Sequence, residues 1–331
     1  MPIPTTGKKT LLLVDDEPTN LQILRHTLQA DYRLVFAKSG AAALELTKKE
    51  QPDLILLDIM MPEMSGYEVC QQLKSQADTK YTPIIFITAL TEASDEEKGL
   101  ALGAVDYITK PFTPGIVKAR VGNHLSLVQA DEVKESRLQI IRSLGMAAEY
   151  RDNETGMHVV RISHHARRLA LQVGYSEEAA EELFYAAPMH DVGKIGIPDT
   201  ILLKPSGFEP DEWAIMKTHT EIGAKIIGEH RSPLLKLAAS LSLCHHEKFN
   251  GTGYPQGLKG NEIPHQARIL SLVDVFDALL STRPYKKPWP LDEVLALIKK
   301  EKGEHFDPEL VDAFLTDVPA HLDIQKQWSD K

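Results

Sequence analysis

Leu54-Ile55-Leu56-Leu57-Asp58 is an unbroken apolar run that ends on a carboxylate, and its reading decides the fold of the first third of this chain. A strand that is apolar at every position is covered on both faces. Comparable short runs stand at Leu11–Val14, Arg33–Ala37, Ile84–Thr88 and Val105–Ile108, each followed by a helix-like stretch. Strands alternating with amphipathic helices predict a parallel sheet sandwiched by helices. Such sheets hold ligands beyond the C-terminal ends of their strands. Asp15 and Asp16 close the first strand here, Asp58 the third and Thr88 the fourth, and Lys110 follows the fifth. Three carboxylates on one sheet edge repel unless a cation offsets them, and a hard divalent ion such as Mg²⁺ takes oxygen ligands. Lys110 supplies a fixed positive charge and Thr88 a hydroxyl. Any one of these acids alone would be a loop residue or a helix cap. Together, and in this order, they suit acceptance of a phosphoryl group on Asp58, with metal and lysine neutralising its charge.

The stretches Val14-Asp15-Asp16-Glu17, Leu57-Asp58-Ile59-Met60-Met61-Pro62, Ile87-Thr88-Ala89 and Thr109-Lys110-Pro111-Phe112 carry a resemblance. Residues 8–125 resemble the receiver domain of a two-component response regulator. The resemblance implies a five-stranded flavodoxin-like α/β fold and a sensor histidine kinase as phosphodonor. It implies Asp58 as phosphoacceptor and Asp15, Asp16 and Asp58 as the Mg²⁺ site. Thr88, Lys110 and Tyr107 match the switch positions.

At 331 residues the chain is long enough for two domains. Lys and Arg total 37 against 47 Asp and Glu, a net charge of −10 that argues against broad nucleic-acid binding. Cys70 and Cys244 are far apart and in no ligand spacing, which fits a reducing cytoplasm. The apolar runs are too short to span a bilayer, and Met1–Thr10 does not read as a signal peptide. Thr113-Pro114 predicts a helix start, and Val117, Val121, Leu125 and Val128 continue as one apolar face. Leu138, Ile141 and Leu144 resume it. A long connecting helix over 113–145 is expected, able to pair with a second copy in a homodimer.

From about Ser143 no strand is expected. Helical patterns recur at 154–173, 177–190, 210–229, 233–245, 265–280, 291–301 and 308–316. Eleven of the thirteen histidines fall at or after His158. Glu154 and His158 share a helix face at i and i+4. His190-Asp191 and His245-His246 are adjacent pairs, His219 lies apart, and Asp274 stands in an apolar run where it should not be buried unpaired. A lone helical histidine is ordinarily structural, and His164, His165, His230, His265, His305 and His321 are read so. The other eight groups offer more N and O donors than one ion uses, and a cysteine-free set suits Mn or Fe. Two or three ions are implied, a cluster able to lower the pKa of water and attack a phosphorus centre.

His190-Asp191-Val192-Gly193-Lys194, His245-His246-Glu247-Lys248, Gly253-Tyr254-Pro255, Asp274 and Arg283-Pro284-Tyr285-Lys286 carry a second resemblance. Residues 145–320 resemble an all-α HD-GYP domain, a family that hydrolyses cyclic di-GMP to pGpG and in some members on to GMP. The resemblance implies His190, Asp191, His219, His245, His246 and Asp274 as metal ligands, with Asp191 bridging. Glu154 and His158 match the further ligands of members that hold a third ion. Lys194 joins Asp191 among the catalytic groups, and Lys194, Arg283, Lys286 and Gly253-Tyr254-Pro255 are the expected substrate contacts. Many members have Trp-Asp where this chain has Phe249-Asn250. The resulting expectation is a cytoplasmic response regulator whose phosphorylation controls a cyclic di-GMP phosphodiesterase. The alternatives are a 3′3′-cyclic GMP-AMP phosphodiesterase and a catalytically weak sensor or scaffold that binds diguanylate cyclases. A transcriptional output would need a basic helix-turn-helix, which is not seen.

Overall fold

The computed structural model describes residues 7–89, 93–152, 157–281 and 288–329. The chain forms two compact units, residues 1–134 and 135–331.

The first unit is a five-stranded parallel sheet of order β2-β1-β3-β4-β5. The strands are β1 (Thr10–Val14), β2 (Arg33–Ala37), β3 (Leu54–Asp58), β4 (Ile84–Thr88) and β5 (Asp106–Thr109). Helices α1 (Pro18–Leu28), α2 (Gly40–Glu50), α3 (Gly66–Ser75) and α4 (Ala93–Ala101) alternate with them, and α5 (Pro114–Arg151) follows. The continuous apolar runs reflect two cores. Leu11, Leu13, Leu54, Leu56, Ile85 and Ile87 face α1 and the first turns of α5, through Leu24, Val117 and Val121. Leu12, Val14, Ile55, Leu57, Ile84 and Phe86 face Ala43 of α2 and Val69 and Leu73 of α3. Strand register then fixes the carboxyl edge: Val14 pairs with Leu57, Asp58 with Ile87, and Thr88 with Thr109. This is the flavodoxin-like arrangement that the alternation predicts.

The second unit is helical. After the end of α5 come α6 (Met157–Gln172), α7 (Glu177–Ala186), α8 (Asp199–Leu202), α9 (Pro210–Lys217), α10 (His219–Ile227), α11 (Pro233–Cys244), α12 (His265–Leu280), α13 (Leu291–Lys300), α14 (Pro308–Thr316) and α15 (Val318–Gln327). Ile162, Ala166 and Leu169 of α6 meet Leu183 of α7, Leu241 of α11, Ile269 and Phe276 of α12 and Phe314 of α14 in one core. Among the described residues of this unit no strand occurs, only an isolated bridge between Lys302 and Phe306.

The helix predicted over 177–190 ends as α-helix at Ala186 and tightens into a 3-10 turn, Ala187–Met189, that delivers His190. The helix predicted over 210–229 breaks at Thr218, and α10 starts on His219. Neither Gly nor Pro marks that break; tertiary packing makes it. Two helices, α8 and α15, carry too weak a pattern to be read from sequence. Among the described residues no helix is long and apolar enough to cross a membrane.

Gly66 opens α3, and a Cβ there would lie 2.2 Å from the backbone oxygen of Asp58. Backbone cannot yield as a flexible side chain does, so Gly66→Ala should cost about 1–3 kcal/mol. A lower urea midpoint for the variant is expected, and an unchanged midpoint would count against this packing.

Candidate phosphoacceptor pocket and metal centre

At the sheet edge Asp15, Asp16 and Asp58 each bring an oxygen within 4.8 Å of the others. Asp15 and Asp58 are buried. Lys110 Nζ sits 2.9 Å from Asp15 Oδ2 and 2.8 Å from Asp58 Oδ2. The backbone N–H of Glu17 and the side-chain amide of Asn20 donate to Asp15, at 2.9 and 3.0 Å. Burial pushes the Asp58 carboxyl above its ordinary range, and Lys110 pulls it only partly back. A further cation at this edge would complete the neutralisation. Thr88 ends β4, buried, and Tyr107 lies half-buried on β5 with the Arg120 guanidinium 5.5 Å over its ring.

In the second unit two groups of donors converge. Asp191, His219, His245 and His246 form one; His158, His190 and Glu149 form the other, with ligand atoms within 4.8 Å inside each group. His219 Nε2 and His245 Nε2 lie 3.3 and 3.4 Å from Asp191 Oδ1, and His190 Nε2 lies 3.4 Å from Asp191 Oδ2. Ligands held at about 2.1 Å from one ion stand about 3.0–3.5 Å apart, so these spacings fit shared coordination. Asp274 Oδ1 lies 3.4 Å from His158 Nε2.

Local structure aims these rings. Nδ1 of His190 bonds the carbonyl of Ala187 at 2.9 Å, His219 Nδ1 that of Met216 at 2.7 Å, and His245 Nδ1 that of Leu241 at 3.0 Å. A carbonyl only accepts, so each Nδ1 carries a proton, and in the neutral ring Nε2 is the atom that offers a lone pair to an ion. Among the described residues His190 Nε2 and Asp191 Oδ1 are buried with no hydrogen-bond partner, which is the signature of a position that a metal satisfies. The residues present fit a divalent cluster.

Asp191 sits between the 3-10 turns at φ −102° and ψ 12°, in the sparsely populated bridge region. Burial opposes its charge, but Lys194 and His190 hold its carboxyl well below the usual range. Lys194 Nζ is clamped by Asp191 at 2.8 Å and Asp152 at 2.7 Å. Gly193 permits the close approach, since a Cβ there would fall 1.8 Å from the carbonyl oxygen of His219. The Tyr254 ring lies 4.9 Å from that of His246, tilted by 30°. Buried Glu247 ties down its loop by accepting from the backbone of Gln256 at 2.8 Å and Leu258 at 3.0 Å. Gly253 is needed there, because a Cβ would lie 2.2 Å from Lys248 N.

Of the sequence-derived residues, Asp15, Asp16, Asp58, Thr88 and Lys110 share one strand edge. His158, His190, Asp191, Lys194, His219, His245, His246, Tyr254 and Asp274 share one centre. Glu154, Arg283 and Lys286 lie outside the described residues. Glu149 and Asp277 were not anticipated. Glu149 is buried on the last turn of α5 beside Ala148, on a face where a Cβ at Gly145 would strike the Pro188 carbonyl oxygen at 2.3 Å. The Ile141-Gly145-Ala148 spacing marked that face. Asp277 is one helical step from Asp274 and meets His158 Nδ1 at 2.7 Å.

The geometry defines a two-part protein, a carboxylate–lysine pocket on a parallel sheet and a His/Asp metal centre in a helical domain. Residues 11–122 match the response regulator receiver domain and residues 142–310 match the HD domain. The chain belongs to the response regulators that carry an HD domain. It is 36% identical to the cyclic di-GMP phosphodiesterase response regulator RpfG of Xanthomonas campestris pv. campestris, over 92% of this chain and 86% of that one. It is 35% identical to a cyclic di-GMP phosphodiesterase of Thermotoga maritima, over 97% of this chain and 94% of that one. A 3′3′-cGAMP-specific phosphodiesterase 2 of Vibrio cholerae is 41% identical over 60% of this chain and 38% of its own length.

Metal uptake should be coupled to protons. Burial lowers the pKa of His190, yet the charge of Asp191 outweighs it and carries the group up from 6.5 to about 9. Without metal, this raised value stabilises the fold fully below pH 6.5, and the contribution fades as pH rises through 9. An ion needs the neutral ring, so loading the metal-free protein near pH 7.5 should release about one proton at this site. Apparent affinity should then rise with pH up to about 9. Calorimetry in buffers of different ionisation enthalpy measures the release, and zero protons would contradict the assignment.

Proposed function

We propose that this chain is a response regulator that hydrolyses cyclic di-GMP to linear pGpG at the HD-domain centre, under control of phosphorylation at Asp58. The observation that carries the reading is the convergence of lone-pair nitrogens from His190, His219 and His245 on buried Asp191, beside a clamped lysine. In this reading Asp191, His219, His245 and His246 would hold one ion, and His190 and Asp274, together with Asp191, would hold a second. His158 and Glu149 extend the set toward a third. The nitrogen-rich, cysteine-free donors suit Fe or Mn, whereas the all-oxygen edge of the receiver suits Mg²⁺. When bound, the ions supply Lewis acidity and an activated water. Lys194, oriented by Asp152 and Asp191, presents a fixed cation to a phosphodiester oxygen. The Gly253-Tyr254-Pro255 loop, pinned by Glu247, shapes the approach, and Arg283 and Lys286 are further candidate phosphate contacts. The first product would be pGpG.

Control through α5 has physical support within the second unit. The same helix begins at Pro114 and ends at Arg151. Its last turn brings Glu149 to the metal group, and Arg151 donates to the carbonyls of Lys194 and Ile197 at 3.2 and 3.1 Å. Asp152, one residue on, clamps Lys194. A displacement of α5 would therefore act directly on the catalytic turn. Exposed Ile116, Leu127, Val133, Ile140 and Leu144 on this helix suit pairing with a second copy. The phosphodonor is a sensor histidine kinase, and a diguanylate cyclase is a candidate partner.

A second reading, 3′3′-cyclic GMP-AMP as substrate, draws support from the 41% identity to a phosphodiesterase named for it. Anaerobically loaded protein assayed with both dinucleotides separates the two. His190→Ala and Asp191→Ala should each lower turnover at least about 100-fold, since even outer-shell changes cost 10–100-fold. Hydrolysis of neither substrate by fully loaded protein would leave only the sensor or scaffold role. Beryllofluoride treatment should change the turnover of wild type and not of Asp58→Asn. Equal turnover in all samples would contradict phosphorylation control.

A further inference from the structure

Helix α15 lies beyond the HD-domain match, which ends at residue 310. Its residues nevertheless reach the network behind His158. The hub is Asp277, fully buried on α12. Its Oδ2 meets His158 Nδ1 at 2.7 Å, which leaves Nε2 of that ring facing the metal group. Its Oδ1 accepts from Arg161 Nε at 2.7 Å and from Gln325 Nε2 at 2.6 Å. Arg161 also donates to Asp277 Oδ2 at 3.1 Å, to Ser281 Oγ at 2.8 Å and to the Trp328 carbonyl at 3.1 Å. His321 pairs with His165 through their Nδ1 atoms at 2.9 Å, and His165 Nε2 lies 3.7 Å from Asp277 Oδ1. Three groups near the C-terminus, His321, Gln325 and the Trp328 carbonyl, thus close on one buried carboxylate or on its direct partners.

We propose that Asp277 and Gln325 are positioning residues for His158, and that α15 is the element that locks them. The terminal torsion of an aspartate is soft. Only a carboxylate held at both oxygens presents one of them steadily to Nδ1. Arg161 and Gln325, with the Ser281 hydroxyl at 3.2 Å from Oδ2, supply that hold, and the oriented carboxylate sets the tautomer and direction of the ring. The chain beyond the HD-domain match is therefore part of the machinery of one metal subsite, the one to which Glu149 and His158 belong. The Asp191, His219, His245 and His246 group does not depend on it. The inference rests on the reading of His158 as a ligand.

The test uses full-length protein loaded anaerobically with Mn²⁺ or Fe²⁺, equilibrated against graded chelator, with ions per chain counted by plasma mass spectrometry. His158→Ala should hold one ion fewer than wild type. Gln325→Met should bind the full number at saturating metal but lose that same ion at about three- to tenfold lower chelator, the remaining ions being held as in wild type. Asp277→Asn should shift that release by about 10–100-fold. Gln325→Asn, whose amide is one methylene short of its partner, should repeat the Gln325→Met result. A lower melting temperature with unchanged chelator resistance for both Gln325 variants would indicate a merely structural contact and overturn the proposal. Full chelator resistance and unchanged melting would overturn it equally. If His158→Ala binds as many ions as wild type, the ligand reading fails and the positioning role with it.

Discussion

Asp191 is a carboxylate removed from water among three histidines and a lysine, and the second unit is built around keeping it ionised. An unpaired buried charge is costly enough that a group in this setting would otherwise neutralise. Lys194 offsets part of the charge at 2.8 Å, and the facing Nε2 atoms leave the rest to a cation. The backbone is shaped to permit this. Gly193 lets the turn that follows Asp191 press against the first residue of α10. Ser242 on α11 donates to the carbonyl of His190 at 2.9 Å, which ties the two histidine-bearing segments together.

The receiver edge meets a related constraint by other means. Asp15 and Asp58 are also buried, but Lys110 bridges them, and their other hydrogen-bond donors are backbone N–H groups and the Asn20 side-chain amide. One chain thus offers an all-oxygen pocket and a nitrogen-rich centre, two donor sets whose chemistry favours different ions. The formal charge of −10 overstates the acidity of the loaded protein, because these carboxylates are the ones that bound cations would offset.

The receiver fold was legible because both faces of its strands are buried, which leaves runs such as Leu54–Leu57 with no polar interruption. Of the candidate ligands, His190, Asp191, His245 and His246 were legible as adjacent pairs, and Asp274 as a lone Asp in an apolar helix. The break at Thr218 was not, because no local signal ends the helix there; the need to place His219 beside Asp191 coincides with it. Glu149 was hidden because a lone Glu at a helix end usually faces solvent, and the burial of its face shows only in the small residues Gly145 and Ala148. Asp277 could have been found from its i, i+3 relation to Asp274, but its partner Gln325 lies 48 residues on, at a distance that periodicity cannot see.

The proposed function stands on a metal cluster that Asp191 would hold together with His190, His219 and His245. Anomalous scattering at the metal edge from crystals of the loaded protein tests it most directly. The predicted result is two peaks flanking the Asp191 carboxylate, one also within bonding distance of Nε2 of His219 and His245, the other of Nε2 of His190. A map with no peak at Asp191, or with ions held only by surface carboxylates, would contradict it.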